Sequence, residues 1–100
     1  MILYNVTVCT EDSVHDEWLS WMMDKHIPDV METGLFTEYK IYRILTDSPE
    51  EKTYSIQYFL RSMEDYEKYR DKFAPALQAD FQNKYKDKFT TFRTILELVE

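Results

Sequence analysis

Glycine and cysteine are nearly absent from this chain, which has one of each among its 100 residues. A single glycine is too few for the glycine-rich loops that hold phosphate groups in dinucleotide-binding and P-loop proteins. The single cysteine, Cys9, has no second cysteine with which to form a disulfide inside the chain. Chains without disulfides are typical of reducing compartments, so we expect a cytoplasmic protein.

Positive charge is also scarce, since 12 Lys and Arg residues stand against 19 Asp and Glu residues, for a net charge of −7. This balance argues against binding to nucleic acids and to anionic membrane surfaces, both of which attract basic patches. The sequence contains neither a hydrophobic run long enough to span a bilayer nor a signal-peptide pattern. One hundred residues leave room for one core, so we predict a single domain over residues 1–100.

The spacings that mark metal sites, such as His-Glu-x-x-His or Cys-x-x-Cys, are missing as well. His15 and His26 are eleven residues apart, which would separate them by about 16 Å along a helix. One metal ion with bonds of about 2 Å cannot bridge that gap. We therefore expect neither a metal site nor a bound cofactor.

The sequence does contain two clear hydrophobic periods. Runs of β-branched and aromatic residues with period two predict four strands, and apolar stripes with helical spacing predict two helices. The strands are predicted at 2–10, 36–46, 53–61 and 89–98. The first helix is predicted at 13–26, with a further turn to Gly34. The second helix is predicted to begin at a capping Ser62 and to continue past a kink at Pro75. A polar turn at 47–52 joins the second and third strands, and interleaved charges mark the second as an edge strand.

The order of these elements, β-α-β-β-α-β, predicts an α+β ferredoxin-like fold. In that fold a four-stranded antiparallel sheet carries two helices on one face. Large apolar side chains occur at both odd and even positions of the strands, so they point to both faces of the sheet. The face away from the helices is therefore also expected to be covered by another part of a protein. A second copy of the chain, packed sheet against sheet, would supply it, and we therefore expect a homodimer through the sheet face.

The richest stretch of the chain runs from Trp18 to Phe36 and holds both tryptophans, three of the five methionines and the only glycine. Ser13, with an acidic residue three positions later, resembles a capping box at the start of its helix. Pro28 should interrupt the helix because it lacks an N–H, and Gly34 should end it in a left-handed turn. We therefore expect a helix, a break just before Pro28, and one further turn.

The same stretch supplies most of the candidate site residues. His26, near the end of the helix, has an ordinary pKa of about 6.5 and could transfer protons near neutral pH. The alternative is a structural histidine that bonds a backbone carbonyl at the kink. A pocket for an apolar or aromatic ligand could be lined by Trp18, Trp21, Met22, Phe36, Tyr4, Tyr58 and Arg93. The alternative is that the aromatic side chains fill the core under the first helix.

Several segments resemble a known group of proteins. They are Tyr4–Val8 (YNVTV), Trp18–Met22 (WLSWM), His26–Pro28 (HIP), Thr33–Phe36 (TGLF) and Phe92–Thr94 (FRT). With the element order, they resemble the dimeric α/β-barrel group, and within it a family of small bacterial proteins registered as a domain of unknown function. The resemblance covers nearly the whole chain and implies a ferredoxin-like homodimer. The wider group includes cofactor-free monooxygenases, lactone isomerases and binding proteins, and in several families a histidine at the position of His26 faces a cleft.

These observations leave three functional hypotheses. The first, which we prefer, is a homodimer that binds an apolar or aromatic small molecule in a cleft between the first helix and the sheet. The second is a cofactor-free monooxygenase-like or isomerase-like enzyme that uses His26. The third is a purely structural or regulatory dimer without a pocket. A single candidate acid–base group favours binding over catalysis, and the sequence leaves open whether the protein is an enzyme.

Overall fold

The computed structural model describes residues 1–45 and 51–100, with Glu51 described by its backbone alone, and consists of one sheet beneath one layer of helices. The strands are β1 (Ile2–Glu11), β2 (Glu38–Ile44), β3 (Glu51–Leu60) and β4 (Phe89–Glu97). The α-helices are α1 (His15–Trp21), α2 (Ile27–Glu32), α3 (Met63–Lys72) and α4 (Ala74–Lys84). The predicted ferredoxin-like α+β fold is confirmed.

The sheet is antiparallel throughout, with the strand order β2-β3-β1-β4. Strand β2 therefore lies at an edge, as its interleaved charges predicted. Most of the polar turn predicted at 47–52 lies outside the described residues. Its last two members, Glu51 and Lys52, already belong to β3, so the strand begins earlier than predicted.

Backbone pairing decides which face of each strand meets the helices. The helix-facing side chains form three rows across the sheet: Tyr39, Tyr58, Tyr4 and Ile95; Ile41, Ile56, Val6 and Arg93; Arg43, Tyr54, Val8 and Thr91. The middle of each row is the most buried part, and Val8 and Ile56 are both inaccessible to water. Arg43 and Arg93, on the two edge strands, are exposed. The sheet therefore presents an aromatic and aliphatic centre to the helices, with a cation at each edge.

The chain between β1 and β2 is helical without interruption over residues 12–32, which corrects the predicted break before Pro28. A 3-10 turn, Asp12–Val14, precedes α1. A π-helical turn, Met22–His26, then joins α1 directly to α2. The proline thus changes the kind of helix without ending it.

A change of hydrogen-bond register accommodates this proline. The Ile27 N–H donates to the carbonyl of Met22, five residues back, as in a π-helix. Pro28 then stands in the first turn of α2, and the chain stays helical there although Pro28 has no N–H to donate. The segment closes near the predicted Gly34, whose φ of 80° lies in the left-handed region and whose N–H donates to the Met31 carbonyl at 3.1 Å.

The two predicted capping serines differ in outcome. Ser62 caps α3, since its hydroxyl accepts a hydrogen bond from the Asp65 N–H at 3.3 Å. No side chain among the described residues caps the 3-10 turn or α1, so the capping role predicted for Ser13 is wrong. The chain becomes helical one residue earlier, at Asp12, which places Ser13 inside the first turn.

Pro75 divides the second helical segment into α3 and α4, as its position predicted. Buried side chains of both helices, such as Tyr69 and Phe81, pack toward the sheet. With Trp18 and Met22 of the first helical segment they belong to one hydrophobic core. In the part of the chain that the structure describes, no helix is long and apolar enough to cross a membrane.

The sheet face turned away from the helices, which we call the outer face, is polar in the middle and apolar at its edges. At its centre, hydrogen bonds of 2.5 to 3.3 Å link Asn5, Thr7, Ser55 and Gln57. Large apolar side chains on the two edge strands are between 38% and 61% exposed: Tyr42, Ile44, Phe92 and Leu96. The prediction that both faces of the sheet carry large apolar groups is confirmed.

Candidate functional site

A small cavity, which we call the inner cavity, lies between the centre of the sheet and the helical layer. Its volume is about 30 Å³, enough for about one or two water molecules. The sheet contributes Tyr4, Val6, Val8, Ile56, Tyr58, Thr91 and Arg93, and the helices contribute Met22, His26, Val30, Tyr69, Gln78 and Phe81. Both helical segments therefore cover the cavity, whereas the sequence predicts a cleft under the first helix alone.

The inner cavity adjoins a wider groove along the edge of the sheet, which we call the β4 groove. This groove has a volume of about 410 Å³, within the range of small-molecule sites, about 300–1,000 Å³. Gln78, Phe81, Thr91 and Arg93 line both spaces. The groove is completed by Gln82, Asn83, Lys86, Asp87 and Phe89. The four shared residues make the groove the outward continuation of the inner cavity.

His26 reaches the inner cavity from the end of the π-helical turn. Its ring stacks on Trp21, with ring centroids 4.9 Å apart, and meets the edge of Phe81 at 5.6 Å. Burial lowers the pKa of His26 from 6.5 to about 4, although the carboxylates of Asp29 and Asp80 oppose this shift. The imidazole is therefore neutral at neutral pH, with one nitrogen that donates a hydrogen bond and one that accepts.

Arg93 approaches the inner cavity from β4 and holds Tyr4 in place. The Arg93 Nε donates to the Tyr4 hydroxyl at 3.1 Å. Burial raises the pKa of Tyr4, and the nearby guanidinium opposes this shift only in part. The rings of Tyr58 and Tyr69 lie 6.0 and 5.6 Å from that of Tyr4, and burial raises their pKa values as well. Three protonated phenols therefore line one side of the cavity.

Two buried polar atoms of cavity-lining residues have no hydrogen-bond partner among the described residues. They are Nδ1 of His26 and Oγ1 of Thr91. Buried polar groups are nearly always paired with protein, water or ligand, because leaving one unpaired costs about 1–3 kcal/mol. Both residues line the same small space, where a water molecule or another polar group can pair with them.

The structure brings five of the eight predicted site residues together around the inner cavity. These are Tyr4, Met22, His26, Tyr58 and Arg93. Met22 and His26 come from one row of the first helical segment, and the other three come from three different strands. Residues far apart in the chain thus converge because the helix-facing side chains of these strands point to the same space.

The other three predicted residues, Trp18, Trp21 and Phe36, do not border the inner cavity. Trp18 is completely buried and packs on Tyr54, with ring centroids 5.3 Å apart. Trp21 lies behind His26 and stacks on its ring, and Phe36 packs among the buried tyrosines. These positions agree with the alternative that the aromatic side chains of this stretch fill the core.

Gln78 and Thr91 line both spaces, although sequence analysis did not single them out. Thr91 lies two residues before Arg93 in the same strand, so both side chains point to the same face of the sheet. The prediction that Arg93 faces the pocket therefore also predicts Thr91 there. Gln78 follows Leu77 in α4, and helical periodicity favours the apolar neighbour. No sequence signal distinguishes a glutamine that faces a cavity from one that faces water.

The arrangement joins apolar walls to a few hydrogen-bonding groups. His26, Thr91 and Gln78 can each donate and accept, and Arg93 brings a formal positive charge. Such a site can bury an apolar body and orient one polar group. Among residues 1–45 and 51–100, no group of three His, Cys, Asp or Glu side chains is placed to hold a metal ion.

The fold and the cavity define the class: a ferredoxin-like α+β protein with a pocket between its sheet and its helices. The particular family follows from comparison with known families. Residues 1–99 match the family described as Domain of unknown function (DUF4286), and the chain belongs to it. No curated protein matches the chain.

Solved structures with this fold cover nearly the whole chain. A dimeric ferredoxin-like protein from an uncultured marine organism is 12% identical, with a TM-score of 0.73 over 100% of this chain and 96% of that one. A proposed antibiotic biosynthesis monooxygenase from Bacillus cereus is 6% identical, with a TM-score of 0.70 over 99% and 93%. An ethyl tert-butyl ether D family protein from Bacillus halodurans is 14% identical, with a TM-score of 0.67 over 99% and 100%. At these identities the likeness shows the fold alone.

Proposed function

We propose that the protein is a homodimer that binds a small, largely apolar or aromatic molecule in the inner cavity and the β4 groove. One observation carries the proposal. Two unpartnered buried polar atoms, on His26 and Thr91, belong to residues of a cavity that continues into a groove of ligand size. Trp18 Nε1 and Tyr85 Oη are also buried without a partner among the described residues, but they do not border the inner cavity. Beside the cavity, a ligand group or a water molecule has room to pair with the atoms of His26 and Thr91.

The sizes of the two spaces indicate how a ligand would lie. The inner cavity, at about 30 Å³, accepts no more than a terminal group. The β4 groove, at about 410 Å³, has room for a ring system. The body of the ligand therefore lies in the groove against Phe81 and Phe89, and one end points toward His26.

The homodimer is supported by the outer face of the sheet. Its edge strands carry exposed apolar side chains that a second copy of the sheet would bury, including Tyr42 and Phe92. One solved structure of similar fold is itself described as dimeric. The single cysteine supports a reducing compartment, so we place the dimer in the cytoplasm.

The test is a thermal-shift screen of the purified protein against haem, flavins, quinones, aromatic acids and fatty acids. A ligand at about 100 times its Kd adds about 2.7 kcal/mol of stability. In a domain of this size, that raises the unfolding midpoint by about 10 °C or more. A screen in which no compound shifts the midpoint would contradict the proposal and favour a structural dimer.

A matched pair of variants then places the site. Thr91→Val keeps the side-chain shape and removes the hydroxyl that belongs to the inner cavity, so the Kd of a hit should rise about two- to tenfold. Thr90→Val makes the same change on the outer face of the same strand and should leave the Kd unchanged. Equal effects of the two changes would place the ligand elsewhere.

His26 also supports a second candidate function, cofactor-free oxidation or isomerisation with the imidazole as the base. Its pKa of about 4 argues against this role. Compared with a base whose pKa is 7, a base with a pKa about three units lower has about 4 kcal/mol less driving force for taking a proton. Oxygen uptake or isomerisation of a screen hit, lost in His26→Gln with binding retained, would nevertheless establish catalysis.

A further inference from the structure

We infer that the ligand of this site is an organic acid bound as its carboxylate, with the carboxylate paired to Arg93 at the boundary between the inner cavity and the β4 groove. The inference rests on the proposed binding function and deepens it by naming the charge and the chemical class of the ligand. It is carried by the charges around the site, by the partners of Arg93 and by the neutral groups beside it.

The side chains that line the two spaces carry a net positive charge, although the chain as a whole carries −7. The carboxylates of Asp29 and Asp80 act on His26 but line neither space. Among the described residues that line the inner cavity, Arg93 is the one charged side chain and no carboxylate is present. In the β4 groove, Lys86 and Arg93 outnumber the single carboxylate, Asp87. A basic site in an acidic protein attracts anions locally while the rest of the surface repels them.

Arg93 has no acidic partner in the part of the chain that the structure describes. Its Nε donates to the Tyr4 hydroxyl, which orients the guanidinium plane and leaves its charge unbalanced. The ion pairs of the described residues involve other cations: His15, Lys25, Arg70 and Lys88. The two terminal nitrogens of Arg93 therefore remain available for a carboxylate, which matches the geometry of a guanidinium.

The groups beside Arg93 suit a carboxylate and disfavour a cation. Thr91 and Gln78 line both spaces and can donate hydrogen bonds to a second carboxylate oxygen. Phe81 and Phe89, with ring centroids 4.4 Å apart, form an aromatic wall for the apolar body of the molecule. A ligand cation would meet the charge of Arg93 with no carboxylate in the inner cavity to offset it.

The test compares acids with their neutral amides, which have nearly the same shape. Isothermal titration at pH 7.5 and one fixed salt concentration would measure the Kd of benzoate, salicylate, cinnamate and 2-naphthoate against the four corresponding amides. Arg93 is exposed, so water screens its charge and weakens an ion pair with it. We therefore expect the acid of at least one pair to bind about two- to fivefold more tightly than its amide.

Substitutions of two arginines locate the preference. Arg93→Gln should reduce the ratio of amide Kd to acid Kd to about one, with little change in the Kd of the amide. Arg61→Gln removes the same charge from an exposed position outside both spaces and should keep the wild-type ratio. Arg93→Lys keeps the charge without the planar fork and should give an intermediate ratio.

The outcomes separate the inference from the proposed function. If acid and amide bind equally well, or if Arg93→Gln keeps the preference, the inference is overturned while binding at the site stands. If no acid or amide binds and the broader screen is also flat, the proposed function is overturned and the inference with it. Should Arg93→Gln fail to fold, an unchanged ratio in Arg93→Lys would overturn the inference.

Discussion

Burial sets the chemical character of the individual residues around the inner cavity. It keeps His26 neutral at neutral pH and raises the pKa values of the Tyr4 and Tyr58 hydroxyls, because a site away from water disfavours the charged form of each group. Arg93 carries its charge at little cost because it is exposed to water along the β4 groove. The site therefore has neutral hydrogen-bonding groups inside and a cation at its mouth.

The lowered pKa of His26 predicts that acid destabilises the protein. The folded protein takes up this proton near pH 4 and the unfolded chain near pH 6.5. Between these values the unfolded state binds more protons, so the free energy of unfolding falls as the pH falls. His26→Leu removes the group, so between pH 7.5 and 5.5 the wild type should lose about 1 kcal/mol more than the variant.

Urea denaturation of both proteins at the two pH values, at one fixed protein concentration, measures this difference. The comparison subtracts the carboxylates, which are common to both proteins. An equal loss in wild type and His26→Leu would mean that the folded protein does not hold the imidazole neutral.

At the scale of elements, the π-helical turn Met22–His26 is the feature that connects sequence and site. It lets the helical segment pass Pro28 without a break, and it brings Met22 and His26 to the inner cavity together. Turns of this kind are frequent at functional sites because they change the direction of side chains within a helix. The stacking of Trp21 on His26 then fixes the orientation of the imidazole.

The helix starts give a second prediction at this scale. Ser62→Ala removes the hydroxyl that accepts from the Asp65 N–H, so the free energy of unfolding should fall by about 1 kcal/mol. Ser13→Ala is the matched control, because Ser13 is exposed and its segment has no side-chain cap among the described residues. Its effect should stay within about 0.5 kcal/mol.

Chemical denaturation of the two serine variants and the wild type measures the free energy of unfolding that each substitution removes. Equal losses would show that the first helical segment is capped in solution as its sequence pattern suggested, and that the 3-10 start does not persist.

At the scale of the whole molecule, the outer face of the sheet is the surface on which the proposed homodimer rests. The polar side chains at its centre form hydrogen bonds with one another, so their burial in a dimer interface would leave few polar groups unpaired. Its apolar edges supply the area that favours association. A second sheet turned by a twofold axis would cover the edge strands of both copies at once.

We therefore expect light scattering to give twice the chain mass of 12.2 kDa at tens of micromolar protein. Phe92→Glu places a charge on the outer face, where Phe92 is 61% exposed, and should shift the mass toward that of one chain. Met63→Glu, at the exposed start of α3, is the control and should leave the dimer intact. A wild type that runs as a monomer would contradict the sheet-to-sheet assembly.

Much of the fold could be predicted because its signals are local. The alternation of Tyr54, Ile56, Tyr58 and Leu60 marks a strand whatever surrounds it, and the position of Ser62 marks the start of a helix. The break predicted before Pro28 is absent because the effect of a proline depends on whether the preceding helical turn can widen, and no residue pattern indicates that. Ser13 was misplaced because helix starts differ by one residue at little cost in energy.

The sequence by itself determined the order of elements, the single core and the acidic surface, because hydrophobic period and charge are properties of neighbouring residues. Only the tertiary structure decided which residues meet at the candidate site. The antiparallel register sets Arg93 beside Val6 and directs the even residues of β1 and the odd residues of β4 to the same space. Odd and even positions of the strands both carry apolar side chains. Only the long-range pairing of the strands therefore determines which side chains lie near His26 and which lie on the outer face.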